Sequence, residues 1–119
     1  MSGSRSTSES LPHIQPKVTV NNAILYVHSN LQRADYGSFQ QACAELRQST
    51  YSEVTLDLTR CTYATSSFIG DLVEAVTQMK TEGKNVKVLV SPELGRLLHM
   101  AHLYHLIAYD IVDREIEAH

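Results

Sequence analysis

Residues 54–67 read VTLDLTRCTYATSS, and residues 68–83 continue FIGDLVEAVTQMKTEG. The first stretch alternates. Val54, Leu56 and Leu58 point one way, and Thr55, Asp57 and Thr59 point the other, the period of two that marks a strand. A strand covered on both faces reads as a continuous apolar run. This one does not, which predicts a sheet with helices on one face and a wetter opposite face. The period then changes. Phe68, Ile69, Leu72, Val73, Val76 and Met79 recur at helical spacing, while Asp71, Glu74, Gln78 and Lys80 fall mostly on the polar side. A hydroxyl-rich turn, Ala64-Thr65-Ser66-Ser67, joins strand to helix, and Gly83 is placed to end the helix.

Working toward the N-terminus, Phe39, Ala42, Cys43 and Leu46 fall at i, i+3, i+4 and i+7, one face of a helix. Asp35 or Ser38 is placed to cap it, and it ends around residues 48–50. Before it, Val18 and Val20 alternate with polar neighbours, and residues 23–28 (AILYVH) form a second strand. Asn21-Asn22 between them tolerates the positive φ of a tight turn, so the pair reads as an antiparallel hairpin. Five of the first ten residues are Ser, and Pro12 and Pro16 discourage regular structure, so residues 1–15 read as a disordered Ser-rich tail.

Toward the C-terminus, Val86, Val88 and Val90 mark another strand, flanked by Lys84 and Lys87. Ser91-Pro92-Glu93 is a helix start: an N-cap Ser, Pro at the first helical position, and an acid in the first turn. Leu94, Leu97, Leu98 and Ala101 form its buried stripe. Leu106 to Val112 reads as a short strand, and the last seven residues, DREIEAH, as about one helical turn. The order is β-β-α-β-α-β-α-β. Strands separated by such helices pair in parallel through crossovers.

The length of 119 residues allows one domain. Apolar residues at 43% and charged residues at 19% are ordinary for a soluble protein. No run approaches the roughly 18 apolar residues of a membrane span. The first ten residues, MSGSRSTSES, offer no apolar segment for a secretory signal. A net charge of -3 argues against a binder of nucleic-acid backbones. Two cysteines, Cys43 and Cys61, make no disulfide framework and read as buried thiols of a cytoplasmic protein. The CxxC, HExxH, Walker and GxGxxG signatures are all missing, which points away from an enzyme.

The stretch from Val54 to His105 resembles the STAS domain, shared by anti-sigma factor antagonists and cytoplasmic domains of sulfate transporters. Four features carry the resemblance: VTLDLTRCTYATSS running into a helix through a hydroxyl-rich turn; Gly70 at the family's spacing; Lys80-Thr81-Glu82-Gly83 leading to a Val-rich strand; and Ser91-Pro92-Glu93 opening a Leu-rich helix. With the β-β-α opening, the likeness covers roughly residues 16–113. It implies an α/β, STAS-like single domain over residues 16–119, a small mixed sheet with helices packed on one face.

The family's turn is Asp-Ser-Ser-Gly-Leu-Gly or close to it. Aligned without gaps, Thr65 stands at the Asp, Ser66 at the serine that the family's kinases phosphorylate, and Ser67 at the second hydroxyl. Phe68 takes the Gly position and Ile69 the Leu. A Ser-Phe-Ile order also occurs in stressosome-type STAS proteins, displaced by one residue, which makes Ser67 a second candidate acceptor. The family's acidic residue between the second strand and first helix is absent from Ser29-Asn30-Leu31-Gln32-Arg33. The resemblance implies a protein-binding regulator. Its partner would be a serine-kinase-type anti-sigma factor or related regulatory kinase, with a PP2C-type phosphatase reversing phosphorylation of Ser66. The implied contact surface is Thr65, Ser66, Ser67, Phe68 and Asp71. No cofactor is implied, because ATP would sit on the kinase. The alternative is a non-switching adaptor of a membrane transporter or stressosome-type assembly, favoured by Thr65 in place of the Asp.

Plainer readings stand beside these. Ser66 or Ser67 can serve as the helix N-cap, worth ~1 kcal/mol. His99, His102 and His105 suggest a zinc site, but no acidic or Cys fourth ligand lies close in sequence, and helix-end histidines are the simpler reading. Ser66, a histidine and Asp57 can be drawn as a hydrolase triad, without any Gly-x-Ser-x-Gly elbow to support it. Arg60 reads as a solvated strand end and Tyr63 as an aromatic packed in the core or at its rim, ahead of interface roles for either.

Overall fold

A computed structural model describes residues 16–113. The Ser-rich tail and the C-terminal helical turn expected from the sequence lie outside the described residues.

The chain opens with the hairpin β1 (Val18–Asn21) and β2 (Ile24–Val27), turning at Asn22 with φ 57°. A 3-10 turn (Arg33–Asp35) leads into α1 (Tyr36–Gln48), which buries Phe39, Ala42, Cys43 and Leu46, the stripe its spacing predicts. Then come β3 (Glu53–Leu58), α2 (Ser66–Thr81), β4 (Asn85–Val90), α3 (Pro92–Met100), a second 3-10 turn (Leu103–His105) and β5 (Asp110–Ile111). The strands lie in chain order, β1-β2-β3-β4-β5. β1 pairs antiparallel with β2, and every other pairing is parallel. Right-handed crossovers between parallel strands laid down in one direction put all three helices on the same face.

Register lines up the covered face. Val20, Leu25, Leu56 and Val88 form one row, and Leu58 and Val90 continue the next. These rows pack against Leu46, Phe68, Leu72, Met79, Leu94 and Leu98, all nearly or fully buried. The opposite face carries Thr55 beside an exposed Lys87, as expected of a wetter surface. Its central row departs from that expectation. Asp57 lies between Tyr26 and Leu89, and it and Thr59 are both buried. The Asp57 carboxylate accepts from the Thr59 N–H (3.0 Å) and hydroxyl (2.7 Å), so these polar groups are satisfied locally.

Helix ends follow their residues. Gly83 adopts φ 91°; its N–H donates to Lys80 O and the Lys84 N–H to Met79 O, each at 3.0 Å. This pair of bonds is the Schellman ending that glycine permits. Ser91 caps α3, accepting from the Leu94 N–H at 3.0 Å. The Asp35 side chain is not a cap for α1. It accepts from the Gln32 N–H (2.8 Å) and Lys17 Nζ (3.1 Å), and those bonds hold its carboxyl below the usual range.

The last expected strand is mostly a turn. His102, at φ 60°, breaks α3 and folds the chain back. Leu103 O then accepts from the Leu106 and Ile107 N–H groups, and Ile107 is buried beneath this turn. The apolar residues 106–107 therefore serve a turn, and only Asp110–Ile111 pairs with β4.

Cys43 and Cys61 are free and buried, and burial pushes both thiols from 9.0 up to about 12. The folded state thus favours the neutral thiol. Stability from this source is complete below pH 9.0 and is lost as pH rises toward 12. Thermal melts between pH 8 and 10.5 should show a falling midpoint, with a shallower fall in the Cys61→Ala variant. An unchanged slope in that variant contradicts this account.

Candidate partner-binding site

The loop after β3 is held from two sides before α2 begins. Asn30, in the loop after β2, accepts through Oδ1 from the N–H groups of Thr62 (2.7 Å) and Tyr63 (3.2 Å). Its Nδ2 donates to the Thr62 hydroxyl at 3.1 Å. From the other side, the buried Ser91 hydroxyl donates to Cys61 O. The loops following three neighbouring strands are thereby tied together at the C-terminal edge of the sheet.

Thr65 then caps α2. It has extended backbone, and its Oγ1 accepts from the Phe68 N–H at 3.2 Å. The same oxygen shares a hydrogen bond with the Tyr36 hydroxyl at the start of α1. The cap therefore lies one residue earlier than a cap at Ser66 or two earlier than one at Ser67. Ser66 and Ser67 become the first two helical residues, and both are exposed. Neither hydroxyl hydrogen-bonds to the described residues. Both sit where free N–H groups and the positive end of the helix dipole favour an anion.

The other expected contact residues divide. Phe68 is 1% exposed and is a core residue, not a surface one. Its ring meets Phe39 edge-on at 4.8 Å and Tyr36 at 5.7 Å. A ring at this position can reach the core because the first turn of α2 faces inward there. Asp71 is half-buried and accepts from Gln40 Nε2 at 3.1 Å, which turns it toward α1. Gly70 is exposed and positioned such that an added methyl group would meet nothing within 4 Å. Packing therefore does not require a glycine in this exposed helical turn.

Sequence reasoning missed Asn30 and Tyr36, and left Tyr63 between the core and its rim. Tyr63 is 59% exposed, outside the core, and stands at the lip of a cleft of about 380 Å3. Leu31, Arg33, Tyr36 and Ser67 also line that cleft. Asn30 and Tyr36 act over 29 to 33 residues of sequence, so no local pattern announces them. Arg60 is exposed, as expected of a strand end.

The three histidines do not share a helix, because His102 ends α3. They gather around Tyr104, with ring centroids 4.9 Å (His99), 6.2 Å (His102) and 4.2 Å (His105) away. No three His, Cys, Asp or Glu side chains converge on a metal position among the described residues. No helix among them is long and apolar enough to cross a membrane.

This arrangement, in which a parallel strand runs through a tethered loop into a capped, serine-bearing helix, is matched by a family model. The match spans residues 14–112, and the model is described as Mlab, STAS domain. The chain belongs to the STAS family. No curated protein matches it. STAS domains are in general binding modules without catalysis.

Replacing Thr65 tests the cap directly. Thr65→Ala should lower unfolding free energy by about 1–2 kcal/mol. Thr65→Asp should retain most of the stability, because a carboxylate accepts the same bond and complements the dipole. Equal destabilisation by both variants in urea titrations contradicts the assignment.

Proposed function

We propose that this STAS domain is a cytoplasmic regulatory binding module of the anti-sigma factor antagonist type. Its unphosphorylated form docks a serine-kinase-type anti-sigma factor, or a related regulatory kinase, through the exposed start of α2. Phosphorylation of Ser66, with Ser67 as second choice, releases that partner, and a PP2C-type phosphatase restores binding. The chain itself is not an enzyme and needs no cofactor.

One observation carries this reading. Thr65 supplies the cap, so the Ser66 hydroxyl is exposed and free of structural duty. Phosphorylation would add about -1.5 to -2 charges. At a helix N-terminus such charge is tolerated, so the fold survives the modification. The effect falls on docking, where a bulky dianion must be desolvated against the partner. Gly70, one turn further along the exposed face, adds support. Glycine there costs about 0.8–1 kcal/mol of helix stability relative to Ala, and nothing inside the domain requires it. A partner approaching the helix backbone closely would require it.

A second reading, a constitutive adaptor in a transporter or stressosome-type assembly, draws on Thr65. The family's acid beside the acceptor is here an uncharged hydroxyl committed to the cap and to Tyr36.

The full chain and its Ser66→Asp variant, tagged and recovered from native cells, separate the two. A regulatory kinase should co-purify with the wild type and drop at least about tenfold with the variant, whose NMR dispersion stays native. Equal recovery of one partner by both forms supports the adaptor, and loss of dispersion in the variant overturns the claim that the fold tolerates charge there.

A further inference from the structure

The cleft beside Ser67 has a composition that specifies its occupant. Its walls are apolar at the base: Leu31 is nearly buried, Tyr36 is half-buried, and Tyr63 stands open at the lip. At about 380 Å3 it has room for one or two side chains. The walls are set in advance. Asn30 fixes the Tyr63 backbone, and the Tyr36–Thr65 hydrogen bond joins the two helix starts. Little ordering is needed on binding, which favours affinity.

Charge decides the rest. Arg33 lines the cleft, is exposed, and forms no ion pair with the described residues. Asp35, two residues along, is already engaged by Lys17 at 3.1 Å and by the Gln32 N–H at 2.8 Å. No carboxylate among the described residues lines the cleft. Its other polar lining residues, Asn30, Gln32, Tyr36, Tyr63, Thr65 and Ser67, are uncharged. A guanidinium in a cleft wall whose other polar residues are uncharged suits a carboxylate and disfavours an ammonium.

We infer that this cleft receives a protein segment in which an apolar side chain, seated against Leu31 and Tyr63, adjoins an Asp or Glu that pairs with Arg33. The inference rests on the reading of this face as a partner surface and names the partner's chemistry there. It also gives the switch a second component. A phosphate at Ser67, in the cleft wall, or at the neighbouring Ser66 repels the incoming carboxylate and competes for Arg33.

The probe is a library of random dodecapeptides displayed on phage, selected in parallel on the full wild-type chain and on Arg33→Glu. Wild type should enrich peptides with an aromatic or branched aliphatic residue beside Asp or Glu. The synthesised consensus peptide should shift the amide resonances of Arg33, Tyr63 and Ser67. Its affinity should fall at least about tenfold in Arg33→Glu and in Tyr63→Ala, both exposed positions whose native dispersion is checked in the same spectra. Arg33→Glu should instead enrich basic residues at the same place. Wild-type peptides without an acid, shifts that map away from the cleft, or no enrichment at all overturn the inference. The two readings fail separately. Consensus binding unchanged by Ser66→Asp leaves the cleft's acid preference standing and removes the phosphorylation switch. A kinase lost with Ser66→Asp but indifferent to Arg33→Glu leaves the switch standing and removes the cleft.

Discussion

The Thr65 hydroxyl is the point on which the proposed binding face depends. One oxygen accepts the Phe68 N–H and thereby sets the first residue of α2. Through the Tyr36 hydroxyl it also joins α2 to α1. Setting the cap there turns Phe68 into the core and Ser66 outward, because residues two apart on a helix point in widely different directions. A cap one residue later would shift both. The exposure of Ser66 and the burial of Phe68 therefore have a single cause.

The topology explains why this face can be assembled at all. In a parallel sheet laid down in chain order, the loops leaving β2, β3 and β4 emerge on the same edge. Such edges are where open α/β sheets place their binding groups. Here Asn30 reaches from the first loop, Ser91 from the third, and both grip the middle one. Backbone N–H and C=O groups that a loop would otherwise leave to water are satisfied by fixed side chains. The hydroxyl-bearing turn is accordingly presented by a braced loop.

Much of the fold was legible because it is periodic. The Phe39-Ala42-Cys43-Leu46 stripe, the alternation over residues 53–59, the Asn-Asn hairpin and the endings at Gly83 and Ser91 all follow local rules of spacing and capping. The failures share a different origin. A cap can be any of several adjacent hydroxyls, and only the partner on the neighbouring helix, Tyr36, distinguishes Thr65 from Ser66. Residues 106–112 carry enough apolar character for a strand, but the left-handed His102 spends part of it on a turn. Asp57 alternates like a surface residue and is nonetheless buried, because Tyr26 and Leu89 flank it in register. Tyr63 suits core or rim by its sequence alone, and Asn30, which holds its backbone, decides for the rim. Apart from the His102 turn, which is local, each miss is a contact between residues distant in sequence, which no window of local pattern contains.

Capping by Thr65 leaves the Ser66 hydroxyl exposed, and the proposed switch uses it for regulation. Phosphosite mapping by mass spectrometry, on the intact protein isolated from native cells in growth and in starvation, tests it most directly. The account predicts phosphate on Ser66 at an occupancy that changes between the two conditions. Ser66 unmodified in every condition, while a partner remains bound, would contradict it.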